Sequence, residues 1–267
     1  MQGVKVKTIS ILGSGWLGFP LAQYFISTGY IVNSSTTSEN RISDLKSIGA
    51  NPFIVNVNSL TSNIQSFLQA KTLIVNIPSK NIAGFRHLVD EVKVSQIERV
   101  MFVSSTSVYE NVRKTITESD YEYYSRSPLL DIEDLFKRCV EIRTTIVRFG
   151  GLIGYSRHPD RFFNPESIIQ NPDSPVNLIH RDDCIGIISE IIKQHAWGEV
   201  FNCCADTHPA KREFYTRAAE SIGGILPGFG KSDPGYGKLI SNRKVKQLLN
   251  YEFKWPDLME IEFENST

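Results

Sequence analysis

The sequence has few cysteines, no excess of either charge and no long apolar run, and each shortage removes a class of protein. The four cysteines, Cys139, Cys184, Cys203 and Cys204, include no C-x-x-C pair. Neither a disulfide framework nor a zinc site is written in that spacing, and the four read as buried free thiols of a reducing compartment. Basic and acidic residues number 29 each, so the broad basic face that sequence-independent nucleic-acid binding needs is missing. No segment approaches the roughly 20 apolar residues of a membrane span. The apolar stretch near the start is only about a strand long, too short for the core of a signal peptide. The expectation is a soluble, cytoplasmic protein that works on a small molecule, with neither nucleic acid nor membrane as partner. Its oligomeric state is not readable from the sequence. With 267 residues and 41% hydrophobic content, the chain can bury about three quarters of its unfolded surface without a staple.

What is present is an alternation. Strand patterns at Thr8–Leu12, Tyr30–Ser34, Phe53–Val57, Thr72–Ile77, Arg99–Ser104 and Thr144–Arg148 are separated by helical patterns at Pro20–Thr28, Arg41–Ile48, Leu60–Leu68 and Ala83–Lys93. A further helix is announced by Ser127 as cap and Pro128 at its first position; Leu129, Ile132, Phe136, Cys139 and Val140 continue its apolar face. Strict βα alternation implies a parallel sheet covered on both faces, a doubly wound α/β (Rossmann) fold. After Gly154 the pattern loosens into loop, then a strand at Val176–His180, a helix at Asp182–Lys193 capped by Asp182 or Asp183, a strand at Glu199–Cys203, and helices at Pro209–Ile222 and Asn242–Leu249. We therefore expect a dinucleotide-binding domain over residues 1–154. Residues 155–267 would supply the last sheet elements and a small, discontinuous substrate lobe.

Gly13-Ser14-Gly15-Trp16-Leu17-Gly18 fits G-x-G-x-x-G and lies between the first strand and the first helix. The first glycine allows the tight turn, the second lets backbone approach a pyrophosphate, and the third lets the helix pack closely. The helix N-terminus offers N–H groups and a positive dipole end to phosphate. About 20 residues on, an NAD site carries a carboxylate for the ribose. Here the window reads Asn33-Ser34-Ser35-Thr36-Thr37-Ser38, without one. Ser35, Thr36 and Thr37, with Arg41 nearby, suit a 2′-phosphate instead, so NADP is expected ahead of NAD. Arg41 reads equally as a solvated helix residue.

Further segments add a resemblance. Ser104-Ser105-Thr106-Ser107-Val108-Tyr109 looks like the S-S-x-x-V-Y segment of extended short-chain dehydrogenases/reductases, the NAD-dependent epimerase/dehydratase family. Arg148-Phe149-Gly150-Gly151-Leu152-Ile153-Gly154, Val176–Asp183, Gly198–Asn202 and Arg212–Tyr215 resemble later segments of that family, in order. The likeness runs along nearly the whole chain and is greatest to the short, atypical bacterial branch of YeeZ-type proteins. It implies an oxidoreductase or epimerase/dehydratase acting on a small polar substrate, phosphorylated or nucleotide-linked. It also implies a catalytic hydroxyl at Ser105, and cofactor contacts at Ser104 and at Asn76-Ile77-Pro78.

One departure is serious. The family pairs an acid/base Tyr with a Lys four residues later, but Tyr121, Tyr123 and Tyr124 are followed at that distance by Ser125, Ser127 and Pro128. Tyr124 is the candidate to approach Ser105, and it reads equally as a packing residue. Arg126 would carry the missing charge, though its high pKa makes it a poor proton relay. The alternative to an enzyme is therefore an NADP-binding sensor or scaffold without turnover. Arg157, His158 and Arg161 form a cationic loop that suits an anionic substrate or a solvated surface. His87, His195 and His208 show no metal spacing and read as structural.

Overall fold

The computed structural model describes residues 7–61, 63–159 and 168–262. The strands are β1 (Thr8–Leu12), β2 (Ile31–Thr36), β3 (Asn51–Ile54), β4 (Thr72–Val75), β5 (Arg99–Ser105), β6 (Thr115–Ile116), β7 (Arg143–Phe149), β8 (Gly151–Ile153), β9 (Ile168–Ile169), β10 (Leu178–His180), β11 (Val200–Cys203), β12 (Gly228–Phe229) and β13 (Leu239–Ile240). The helices are α1 (Gly18–Ser27), α2 (Ile42–Ser47), α3 (Ile64–Phe67), α4 (Ile82–Lys93), α5 (Pro128–Lys137), α6 (Arg181–Lys193), α7 (Lys211–Ser221) and α8 (Arg243–Leu249). Seven strands form one parallel sheet in the order β11-β7-β5-β4-β1-β2-β3. This is the doubly wound α/β fold the alternation implies, with the strand order reversing on either side of β1.

The chain divides into two compact units. The first comprises Met1–Ser104, Arg126–Val147 and Ala196–Val200, the second Ser105–Ser125, Arg148–His195 and Phe201–Thr267. In the first unit, α4, β5 and α5 meet through Phe85, Phe102 and Phe136, whose ring centroids lie 5.5–6.2 Å apart. All three rings are fully buried, each worth roughly 1.5–3 kcal/mol. Both helices start as their sequences dictate. Asn81 Oδ1 accepts from Gly84 N, and Ser127 Oγ accepts from Leu129 N ahead of Pro128. A polar ladder crosses β1, β2 and β3. Asn51 donates to Asn33, Asn33 to Ser10, and Ser10 and Asn33 both donate to the carbonyl of Phe67 at the end of α3. Those buried polar groups are thereby satisfied rather than stranded.

The second unit has its own apolar cluster, including Ile153, Val176, Leu178, Phe214, Leu258 and Ile261. Three short parallel pairs, β8 with β10, β9 with β12 and β6 with β13, tie its loops. Asp183, wholly buried, accepts from Tyr251 Oη, Lys254 N and Trp255 N and so anchors the C-terminal segment.

Several local expectations are corrected. Strand β3 ends at Ile54 rather than Val57, with Val55 N still donating to the Thr36 carbonyl of β2. Pro52 fits in β3 because this is the sheet's edge strand. The helix expected over Leu60–Leu68 shrinks to the single turn of α3, Ile64–Phe67; upstream, Asn56 Oδ1 accepts from Asn58 N and turns the chain. Val140 leaves the buried face after α5 ends at Lys137, and is 89% exposed. Neither Asp182 nor Asp183 caps α6: the cap is His180, whose Nδ1 accepts from Asp182 N at 3.2 Å. All four cysteines are buried and free. Burial pushes the thiols of Cys184 and Cys203 well above the usual range and that of Cys204 up to about 12.

Candidate dinucleotide site and a tyrosine–arginine cluster

The carboxyl ends of four neighbouring strands of the first unit surround a cavity of about 490 Å³. β1 contributes Gly13, Ser14 and Gly15, and β2 contributes Ser35, Thr36 and Thr37 with Arg41 beyond them. The segment after β3 supplies Val55 to Asn58, and the segment after β4 supplies Asn76 to Ser79. Open α/β sheets bind ligands at this place, outside the carboxyl ends of strands where the order reverses.

The three glycines are needed for three different reasons. Gly13 has φ +99°, and a Cβ there would lie 2.4 Å from the carbonyl oxygen of Asn76. A Cβ on Gly18 would lie 1.9 Å from the carbonyl oxygen of Gly13, so the first turn of α1 packs directly on the loop. Gly15 differs: a Cβ there would meet nothing within 4 Å, and the residue faces the cavity. Its smallness serves no contact with the protein itself.

Ser35, expected among the hydroxyls that suit a 2′-phosphate, lines the cavity and also holds the loop. Its Oγ accepts from Gly13 N at 2.9 Å, and its carbonyl accepts from Ser14 N and Ser14 Oγ at 2.9 and 2.7 Å. Thr36 Oγ1 accepts from Ser38 N, and Thr37 is exposed at the rim. Arg41 sits over the Phe19 ring, ion-paired to Asp44 at 3.1 Å and reaching the Ser14 carbonyl at 3.5 Å. This cation therefore stands beside the glycine loop. Asn76 Nδ2 donates to the Gly13 carbonyl at 3.4 Å, while Ile77 and Pro78 line the wall. Trp16, Leu17 and Gly18, expected as contacts, are not among the lining residues, and Leu17 and Gly18 are buried. Ser104 does not line the cavity either: its Oγ donates to the buried Glu133 carboxylate at 2.7 Å.

The candidate catalytic residues lie in the second unit. Ser105 Oγ accepts from Ser107 N at 3.1 Å, starting a short turn of 3-10 helix over Thr106–Val108. That segment runs against the one carrying Tyr124. Tyr109 and Tyr124 form an antiparallel bridge, Glu110 N donates to the Tyr123 carbonyl, and Ser125 N and Oγ donate to the Val108 carbonyl.

Between the two tyrosines lies Arg148, from the end of β7, with no exposed surface. Its Nη1 donates to Tyr109 Oη at 2.6 Å and its Nη2 to Tyr124 Oη at 2.8 Å. Tyr109 Oη in turn donates to Asn202 Oδ1 at 3.0 Å. Desolvation pushes the Tyr109 phenol up to about 12 despite the nearby guanidinium. Beneath them Lys238 donates to the Tyr109 carbonyl, and burial lowers its ammonium to about 8. Glu118 accepts from Asn202 N, and burial raises its carboxyl.

The sequence motifs include Arg148, Tyr109 and Asn202 without assigning them a role. The available signal was a charge inside an apolar strand, Thr-Thr-Ile-Val-Arg-Phe, since an arginine is almost never fully buried unless paired. Of the expected substrate loop, Arg157 is exposed, His158 is 2% exposed and enclosed, and Arg161 lies outside the described residues. Arg126, the other candidate for the missing charge, is exposed.

No family model matches the chain. Protein YeeZ of Escherichia coli strain K12 is 29% identical over 281 residues, which cover 97% of this chain and 100% of YeeZ. The two chains are homologous over their full lengths. Among solved structures, UDP-glucuronic acid 4-epimerase from Bacillus cereus, in complex with UDP-glucuronic acid and NAD, superposes with a TM-score of 0.77 at 18% identity, covering 96% of this chain and 97% of that one. A functionally unknown conserved protein from Silicibacter pomeroyi gives 0.77 at 17% identity, with 95% and 96% covered. A short-chain dehydrogenase/reductase superfamily protein from Agrobacterium tumefaciens with bound NAD gives 0.72 at 18% identity, with 94% of each chain covered. These likenesses establish the fold as that of the epimerase and short-chain dehydrogenase structures. No helix among the described residues is long and apolar enough to cross a membrane.

Proposed function

We propose that this chain binds NADP(H) along its glycine loop and carries out dehydrogenase- or epimerase-type chemistry on a small polar substrate bearing phosphate or a nucleotide. Gly15 carries the reading. It faces a cavity of about 490 Å³, and a side chain there would touch nothing in the protein. A bare backbone at that point is what a pyrophosphate requires. Ser35 braces the loop from behind, so its shape is preset.

The preference for NADP rests on the rim after β2. Among the described residues that line the cavity, none is a carboxylate able to hold two ribose hydroxyls and repel a 2′-phosphate, while Arg41 and Thr37 offer a cation and a hydroxyl. The neighbours crystallised with NAD support a nicotinamide dinucleotide in general.

When bound, the nicotinamide gives or accepts a hydride at a carbon that carries oxygen. The chain's own residues must then give or take the proton at that oxygen. Ser105 Oγ accepts from Ser107 N and keeps its own O–H as the donor we assign to the reacting oxygen. Tyr124 is the acid/base. The reading without turnover, as a sensor or scaffold, rested on the missing lysine, and the cation beside Tyr124 favours the enzyme.

Calorimetry tests the cofactor. Gly15→Ala weakens NADPH binding by about tenfold or more, ~1.4 kcal/mol, with thermal unfolding unchanged. Wild type binds NADPH more tightly than NADH, and salt narrows the gap by screening. Unchanged NADPH affinity in Gly15→Ala would remove the loop from the site, and equal or tighter NADH binding would remove the 2′-phosphate preference.

A further inference from the structure

Among short-chain dehydrogenase-like sequences this chain lacks the lysine that follows the acid/base tyrosine, with Pro128 at that place relative to Tyr124. A phenol with an ordinary pKa near 10 is a poor proton acceptor near neutrality unless a cation favours its phenolate. The second unit provides that cation from another strand. Arg148 is fully buried, and one of its nitrogens donates to Tyr124 Oη at 2.8 Å. Its ζ-carbon lies 4.8 Å from the centre of the Tyr124 ring.

We propose that Arg148 replaces the missing lysine as the positioning residue of the acid/base, holding Tyr124 Oη in place and favouring its phenolate. The inference rests on the reading of Tyr124 as acid/base given above.

Two features single out Tyr124 from Tyr109. Tyr109 is 2% exposed, and its proton is committed to Asn202 Oδ1. Burial pushes its phenol up to about 12, so near neutrality it anchors the guanidinium without consuming its charge. Tyr124 is only partly buried, and its side chain is not sealed inside as that of Tyr109 is. The arrangement is thus a relay of position. Asn202 orients Tyr109, Tyr109 fixes Arg148, and Arg148 fixes Tyr124. The guanidinium's planar fork suits two phenols at once, where an ammonium would act as a point charge.

A proton is the only particle that Tyr124 exchanges. The phenolate would take it from the substrate hydroxyl while an oxidised nicotinamide, the hydride acceptor of the reading above, took the hydride from the adjoining carbon, and the phenol would return it in the reverse direction. Arginine, always charged, holds its own protons throughout. Among the described residues, the charged or titratable groups near this cluster include Tyr121, whose ring centre lies 5.6 Å from that of Tyr124, Glu118, on which both Arg148 and Lys244 act, and Lys238 at the Tyr109 carbonyl.

The experiment is a pH titration followed by NMR of protein carrying ¹³Cζ-labelled tyrosine, with the Tyr124 signal assigned by its loss in Tyr124→Phe. We expect Tyr124 to ionise below the ordinary value of about 10. In Arg148→Met the midpoint should rise by about 1–3 pH units, and Arg148→Lys should recover part of the difference. A midpoint unchanged in folded Arg148→Met overturns the proposal. Wild type alone decides if that variant does not fold: a Tyr124 midpoint at or above about 10 also overturns it. No step of the titration requires cofactor or turnover, so loss of the dinucleotide reading would appear separately, in the calorimetry of Gly15→Ala.

Discussion

The glycine-loop cavity of the first unit is made of backbone and small hydroxyls, whereas the Arg148 cluster of the second unit is made of long side chains drawn from distant segments. In the cavity the key contacts join Gly13 and Ser14 to Ser35, the ends of two adjacent strands. In the cluster, Tyr109, Tyr124, Arg148, Asn202 and Lys238 come from five places along the chain. The cavity is built by leaving atoms out, and its weakness is steric. The cluster is built by burying charge and phenols, and its weakness is electrostatic: a group that loses its partner there is left desolvated.

That contrast can be broken first inside the loop. Gly18→Ala should cost about 3 kcal/mol in denaturant unfolding, because its Cβ would lie 1.9 Å from the Gly13 carbonyl oxygen, which is backbone and has no easy retreat. Gly15→Ala should leave the unfolding curve in place. Similar losses in both variants would mean that the space over Gly15 has a structural purpose.

The next largest effect belongs to the cluster and depends on pH. Burial holds Lys238 at about 8 in the folded protein, against an unfolded value near 10.4. Between these values the unfolded chain binds more protons than the native one, so this residue's contribution to stability rises with pH. The buried thiols act in the opposite sense, since their raised values subtract stability as pH climbs through about 9. The clean measurement is therefore the difference in unfolding free energy between wild type and Lys238→Met. It should grow by about 2 kcal/mol in favour of wild type from pH 8 to pH 10. A flat difference would show that Lys238 is as well solvated folded as unfolded.

The smallest expected effect returns to the cavity rim. Arg41 is about half exposed and already paired with Asp44, so screening limits what its charge contributes. Arg41→Ser should weaken NADPH by several-fold, about 1 kcal/mol, and leave NADH unchanged. An equal loss for both cofactors would assign Arg41 to the loop's shape, through its contact with the Ser14 carbonyl, rather than to the 2′-phosphate.

The sequence by itself determined the sheet and the glycine loop at its carboxyl edge. Strand β1 has the bounds its apolar run implies, α5 starts at Pro128 behind its Ser127 cap, and the glycine spacing marks where backbone must stay bare. Each of these depends on neighbours within a few residues, through hydrophobic period, capping chemistry or the space that one Cβ occupies, and such information is local. Only the tertiary structure decided that Ser35 braces the loop, that Ser104 turns to Glu133, that His180 caps α6, and that Arg148 reaches Tyr124. Those choices turn on which way a side chain points and what is buried around it. For Arg148 and Tyr124 the partners lie 24 residues apart, and the parallel sheet brings them together without leaving any spacing rule in the sequence.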